Sequence, residues 1–368
     1  MGLLGLSGCG SPSSASVEMS SQTELVKTGS MELQYAENFA VDYYEDGYKM
    51  LTTLPDSKRY LLVPEGQPVP QGLDEDVSIL QEPLQNIYLV ASGAMDMFAS
   101  LDAVDQIRFS GQKQENWYIQ TAKDAMAAGD MIYAGKYSKP DYELLVSEGC
   151  DLAIENRMIT HSPEVVEMLQ SFDIPVMIEY SSYEQHPLGK VEWVKFFGAL
   201  TGREAEAEEA FAEQTEILEE VESGEKTGKT IAFFYVTSNG LIQVRQSTDY
   251  IPKLIELAGG RYIFENLEDS GSGRSTLNMQ VEDFYAGAKD ADILIYNSSI
   301  DGGVTTVDEL IGKCNILKDF KAVQEGQVYC TTNDMYQQSM AIGYLLQDMH
   351  TVLTDDDTAK LRYLFLLQ

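Results

Sequence analysis

Three arginines, Arg157, Arg245 and Arg274, stand in segments that read as loops beyond apolar runs, and aromatic side chains gather near them. A guanidinium fork matches carboxylate or catecholate oxygens, and aromatic faces flank a flat ligand. Similar positions just past apolar runs are taken by Ser92 and Met95, Trp117 and Tyr118, Tyr180 and Tyr183, Tyr250, and Tyr336. These residue types describe a binding cleft better than a catalytic centre. No GxSxG, GxGxxG or P-loop occurs, so nucleophilic hydrolysis and nucleotide binding lack their usual residues. The histidines are His161, His186 and His350, and the four cysteines contain no CxxC pair, which argues against a zinc centre. His186 in the Glu184–Gly189 turn, or Tyr180 or Tyr183, could ligate an iron-bearing ligand; the simpler role for such a histidine is ordering its turn. Cys150, Cys314 and Cys330 read as buried thiols.

The whole chain has 59 acidic and 25 basic residues, a formal net charge of −34, which repels phosphate backbones and excludes nucleic acid as a partner. Its 44% hydrophobic content supplies a core, and the length fits two domains. Phe39–Leu54 reads as a hairpin turning at Glu45-Asp46-Gly47, and Arg59–Val63 extends that sheet. Strand, small-residue turn and helix then recur: Asn86–Ala91 before Ser92-Gly93, Met131–Ala134 before Gly135, Cys150–Ile154, and Ile174–Ile178. Segment 189–224 reads as helix, with a break allowed at Thr201-Gly202-Arg203; uninterrupted, it would extend about 50 Å at ~1.5 Å per residue. A second alternating series follows, with strands at Thr230–Val236, Ala291–Tyr296 and Gln327–Cys330. The pattern predicts an α/β fold of two Rossmann-like lobes, spanning 31–187 and 226–368, joined by a backbone helix over 188–225. In such open sheets a ligand sits beyond the carboxyl ends of the strands.

Two resemblances add to this. Leu6-Ser7-Gly8-Cys9, followed by a Ser-rich stretch, resembles a bacterial lipobox, with Cys9 the lipidated residue. Residues 1–30 then read as the tail of a signal peptide and a flexible tether. Further on, Pro140-Asp141-Tyr142-Glu143 before Asp151-Leu152-Ala153-Ile154 carries one family likeness. Others lie in Ser182–Trp193, in Leu254–Gly260, and in Val281-Glu282-Asp283-Phe284 before Asp292-Ile293-Leu294-Ile295. In order and spacing these segments resemble the class III solute-binding proteins of bacterial ABC importers, which carry ferric siderophores, haem or cobalamin. The resemblance implies a monomeric, lipid-anchored, extracytoplasmic binding protein that is no enzyme and has no cofactor of its own. Its partners would be a small-molecule metal chelate and an ABC permease dimer. It also implies one permease-docking acid per lobe: Glu143 in the first, and Glu282 or Asp283 in the second. The alternatives are a free metal-ion binding protein, needing three or four convergent His, Asp or Glu ligands, and a two-lobed metallocluster enzyme, needing loop cysteines.

Overall fold

A computed structural model describes residues 25–267, 275–355 and 358–368. The chain first builds a five-stranded sheet from β1 (Lys27–Ser30), β2 (Phe39–Tyr44), β3 (Lys49–Thr53), β4 (Lys58–Val63) and β5 (Val77–Gln81). The expected hairpin is β2–β3, pairing Phe39 with Thr53, and its turn uses positive φ at Asp46 and Gly47. Alternation sets the faces. Phe39, Val41, Leu51, Tyr60 and Leu62 share one core with Trp193 and Phe196, while Tyr48, Met50, Leu61 and Val63 form a separate cluster.

The first lobe follows: β6 (Ile87–Leu89), α1 (Ala94–Ser100), β7 (Ile107–Ser110), α2 (Gln120–Ala128), β8 (Ile132–Tyr133), the small hairpin β9 (Gly135–Lys136) and β10 (Lys139–Pro140), α3 (Tyr142–Ser147), β11 (Leu152–Asn156), α4 (Pro163–Ser171) and β12 (Val176–Glu179). Its sheet is parallel throughout, in the order β12-β11-β6-β7-β8. Pro163 opens α4 in its first turn, and Ser162 before it makes no side-chain cap bond.

Segment 187–222 is helical, as α5 (Pro187–Thr201) and α6 (Glu204–Glu222), and it reverses between them. Gly202 takes φ +71°, a left-handed helix stop that favours glycine. The helices then lie antiparallel. A Cβ on Gly198 would come within 2.6 Å of Ala207 Cβ, and Lys195 pairs with Glu208 at 2.9 Å. The 50 Å span of an unbroken helix is thus corrected: α5 is buried from Pro187 to Leu200, and the 19-residue α6, about 28 Å long, makes the crossing.

The second lobe comprises β13 (Thr230–Val236), β14 (Ile242–Arg245), α7 (Tyr250–Leu257), β15 (Arg261–Tyr262), β16 (Thr276–Met279), α8 (Val281–Ala288), β17 (Ile293–Tyr296), α9 (Val307–Lys313), α10 (Lys321–Gln324), β18 (Val328–Thr331), α11 (Ile342–Thr354) and β19 (Leu364–Leu366). Its sheet runs β16-β14-β13-β17-β18-β19, with β15 beside β13. The β13-β17-β18 centre is parallel, whereas β14, β16 and β19 are antiparallel additions. α6 joins this lobe through Gln214, whose Oε1 accepts from Gly343 N at 2.9 Å.

An aspartate before a central strand ties the neighbouring strand in each lobe. Asp151 Oδ2 accepts from Gln85 N and Asn86 N at 2.9 and 2.8 Å, ahead of β6. Asp292 Oδ2 accepts from Thr230 N and Thr230 Oγ1 at 2.7 and 2.8 Å, at the start of β13. A carboxylate so placed satisfies backbone donors at a sheet margin. Cys150, Cys314 and Cys330 are free thiols.

Candidate functional site

The carboxyl ends of the parallel strands of both lobes face one cavity of about 330 Å³. The first lobe supplies Ser92 and Gly93 after β6, Asn156 at the end of β11, Glu179 and Ser181–Tyr183 after β12, and Lys190 from the first turn of α5. Gln243 and Arg245 come from β14, Tyr250 from α7, and Tyr336 and Ser339 from the segment after β18. The walls meet beside the cavity. Gln337 Oε1 accepts from Tyr118 N and Gln337 Nε2 donates to Asn116 O, both at 2.8 Å. Met340 N donates to Asp96 Oδ2 at 2.7 Å.

The second-lobe wall is held by hydrogen bonds. Arg245 Nη1 faces Asp249 Oδ2 at 3.4 Å, Arg245 Nη2 donates to Tyr336 Oη, and Asn297 Nδ2 donates to the same hydroxyl at 2.7 Å. The Arg245 backbone exchanges bonds with Tyr262 Oη at 3.0 and 2.8 Å. Asp249 also accepts from Ile251 N at 3.0 Å and so caps α7. Burial raises the Asp249 pKa against the pull of Arg245.

The first-lobe wall is looser. The Lys190 side chain lies with its ammonium 4.8 Å from the Tyr250 ring centroid, a cation–π contact across the lobe boundary. Glu179 Oε1 accepts from Ser181 N at 2.6 Å, and burial pushes that carboxyl up. Asp96, behind Lys190, is pushed up to about 6 by burial. At the rim the Arg157 guanidinium lies 4.4 Å from the Tyr183 ring centroid.

Of the residues expected from sequence, Ser92, Tyr183, Arg245, Tyr250 and Tyr336 line the cavity. Arg157 stacks on one of them, and Tyr180 sits behind Tyr183, with ring centroids 6.4 Å apart. Tyr118 lies at the seam through its backbone rather than in the cavity. Met95 and Trp117 are corrections. Met95 is fully buried with the hydrophobic core, and the buried Trp117 indole donates to Ser110 Oγ at 3.1 Å. Arg274 and Cys9 fall outside the described residues. Glu143 is exposed on the first turn of α3, and Glu282 and Asp283 are exposed on the first turn of α8.

Lys190, Glu179 and Ser339 were missed. Lys190 was hidden in helical text, and its signal is a lone cation in the apolar run Pro187–Val191 directly after a strand and turn. His186 orders its turn: Nδ1 accepts from Leu188 N at 3.2 Å, and its ring stacks on Tyr35 at 4.5 Å. Among the described residues no group of three or more His, Cys, Asp or Glu could hold a metal ion. Nor is any helix among them long and apolar enough to cross a membrane.

Comparison with known proteins agrees with this geometry. Residues 91–335 match the model of the family described as periplasmic binding protein. An uncharacterized lipoprotein of Methanocaldococcus jannaschii is 24% identical over 351 residues, covering 87% of this chain and 81% of its own. A possible iron-binding (periplasmic solute-binding) protein from Staphylococcus epidermidis superposes with a TM-score of 0.57 at 17% identity, over 73% of this chain and 98% of its own. The periplasmic haem-binding protein of Vibrio cholerae gives a TM-score of 0.57 at 14% identity, with the same coverage of 73% and 98%.

Proposed function

This chain belongs to the periplasmic binding protein family, a solute-binding protein of the ABC-transporter type, and from that premise we propose that it captures a metal chelate between its lobes and delivers it to a permease. The carrying observation is convergence: Lys190 and Tyr183 from one lobe, and Arg245, Tyr250 and Tyr336 from the other, meet on one cavity. Cations and ring faces from opposite walls suit an anionic chelate with planar groups. Ferric siderophore, haem and corrinoid are the ligand classes in view, and solved relatives described as iron- and haem-binding support that choice. The chain binds and releases; it performs no catalysis and needs no cofactor.

The rest of the delivery reading attaches to named residues. Cys9 carries the lipid that holds the monomer at the outer face of the membrane. Glu143, with Glu282 or Asp283, docks the two lobes on the two halves of the permease. Because α3 and α8 each precede the central strand that carries the tying aspartate, their acids occupy matching places in the two lobes.

The test is a titration of the full chain with haem, cobinamide, cobalamin, a ferric catecholate and a ferric hydroxamate, read by intrinsic fluorescence. Saturable quenching at sub-micromolar concentration by one of them is expected, with Arg245→Ala weakening it at least tenfold. Silence from all five, together with a thermal shift on adding bare iron, zinc or manganese, replaces this reading with the metal-ion alternative.

A further inference from the structure

Segment 336–340 of the second lobe does two things at once. Tyr336 lines the cavity and takes hydrogen bonds from Arg245 Nη2 and Asn297 Nδ2. Its neighbours bind the other lobe. The Gln337 side chain accepts from Tyr118 N and donates to Asn116 O, and Met340 N donates to Asp96 Oδ2 on α1. Gly93, just before α1, lets the same segment come close. A Cβ there would stand 3.0 Å from Ser339 Oγ and 3.6 Å from Tyr336 O. Five residues thus touch the cavity and two separate segments of the first lobe.

The receiving edge suits an amide. Asn116 O and Tyr118 N flank Trp117, whose backbone is extended at φ −82° and ψ 138°. In an extended chain those two groups point to one side. The Gln337 amide meets them as a neighbouring strand would, donor to acceptor and acceptor to donor. Trp117 fixes the edge from behind: its buried indole donates to Ser110 Oγ, which itself donates to Gln112 O. A preorganised edge loses little entropy on pairing. The contact also carries a cost. Ser339 Oγ is fully buried and has no hydrogen-bond partner among the described residues. Such a hydroxyl is destabilising through its lost hydration, and parting the lobes would return it to water. Three hydrogen bonds favour closure, and one stranded hydroxyl opposes it.

We propose that segment 336–340 is a closure latch that reads the cavity. Tyr336 senses solute, Gln337 and Met340 hold the first lobe, and Ser339 sets how readily they let go. Gln337 and Asp96 are its positioning residues. The sensing half rests on the cleft reading above; the latch itself does not.

Hydrogen exchange of the full chain without added ligand tests the latch, because the Tyr118 and Met340 amides are two of its donors. Both are expected to be protected. Gln337→Ala removes no bond of Met340, yet it should speed exchange there at least tenfold. Asp96→Ala should do the same at Tyr118, and Ser339→Ala should slow both amides about threefold, each in a protein whose circular dichroism matches the parent. Acceleration confined to the amide that lost its own partner would make these two local contacts and overturn the latch. Unchanged or faster exchange in Ser339→Ala overturns the part given to that hydroxyl. Haem and a ferric catecholate then test the sensing. Whichever binds should slow exchange at both amides at least tenfold and leave the Gln337→Ala protein at least tenfold faster. Binding that leaves both amides as they were overturns the sensing. If the ligand-free exchange behaves as expected and no probe binds, the cleft reading and the sensing fail together and the latch stands.

Discussion

The two lobes repeat one six-residue frame and fill it differently. In the first it is Asp151-Leu152-Ala153-Ile154-Glu155-Asn156, and in the second Asp292-Ile293-Leu294-Ile295-Tyr296-Asn297. Both open with the aspartate that ties the neighbouring strand. Both close with an asparagine whose Oδ1 accepts from the backbone two residues on, Met158 N at 2.9 Å and Ser299 N at 3.3 Å. The fifth position breaks the repeat. Tyr296 Oη donates to Asp301 at 2.7 Å. Glu155 is fully buried with neither carboxylate oxygen hydrogen-bonded, and burial pushes its pKa up to about 8. The shared ends hold the sheet, while the fifth residue is where the first lobe carries a cost that the second avoids.

Removing that cost gives the largest expected effect. At pH 7 the folded chain keeps Glu155 protonated, whereas the unfolded chain titrates near 4.5. At 1.36 kcal/mol per pH unit, Glu155→Met gains about 3 kcal/mol. The sign follows from the raised folded pKa: the native stability contribution is full below 4.5 and is lost as pH rises through about 8. Urea unfolding of both proteins at pH 5 and pH 8 checks this, because the gap must widen toward pH 8. A gap independent of pH removes the ionisation argument.

Next in size is Asp151→Ala, which strands two backbone donors at the start of β6 and should cost about 2 kcal/mol in the same assay. Its counterpart Asp292 is smaller in effect and differs in acid. Burial would raise the Asp292 pKa, but hydrogen bonds from Lys321 and Thr230 overcome this and hold it at about 2. The lowered pKa means its contribution is present above the unfolded value of 3.8 and is lost as pH falls through about 2. Discounted for its exposure to solvent, that is about 1 kcal/mol. Asp292→Asn should therefore flatten the acid limb of the stability profile, and an unchanged limb would show that the tie carries no charge-dependent stability. Smallest is Tyr296→Phe, about 0.5 kcal/mol for one part-buried hydrogen bond lost; thermal unfolding should show a drop of a few degrees or less.

The strands inside the frame were legible as the apolar runs Cys150–Ile154 and Ala291–Tyr296, because that signal is local. The roles of the aspartate and asparagine at their ends needed the structure, since the groups they bind lie on other strands or in the turns beyond. Arg245 was legible because cations are scarce in this chain. Gly202 was visible as a possible break, although only packing of Ala207 against Gly198 shows that the helices reverse there. Met95 and Trp117 failed for the opposite reason: standing past a strand end does not say which face a side chain takes, and both turned toward the core. The strands β14 and β16 escaped notice because four residues beside Gly/Ser-rich text give too short an alternation to read. Lys190 needed the fold itself, since only the meeting of the lobes puts its ammonium over Tyr250.

The central claim is that ligand sits between the lobes. The most direct measurement is a crystal structure of the chain with its tightest-binding ferric chelate, with the iron located by anomalous scattering. The account predicts one iron peak bounded by Tyr183, Lys190, Arg245 and Tyr336. A bound iron elsewhere, for instance in the outer groove that Asp102, Arg108 and Arg203 line, would contradict it.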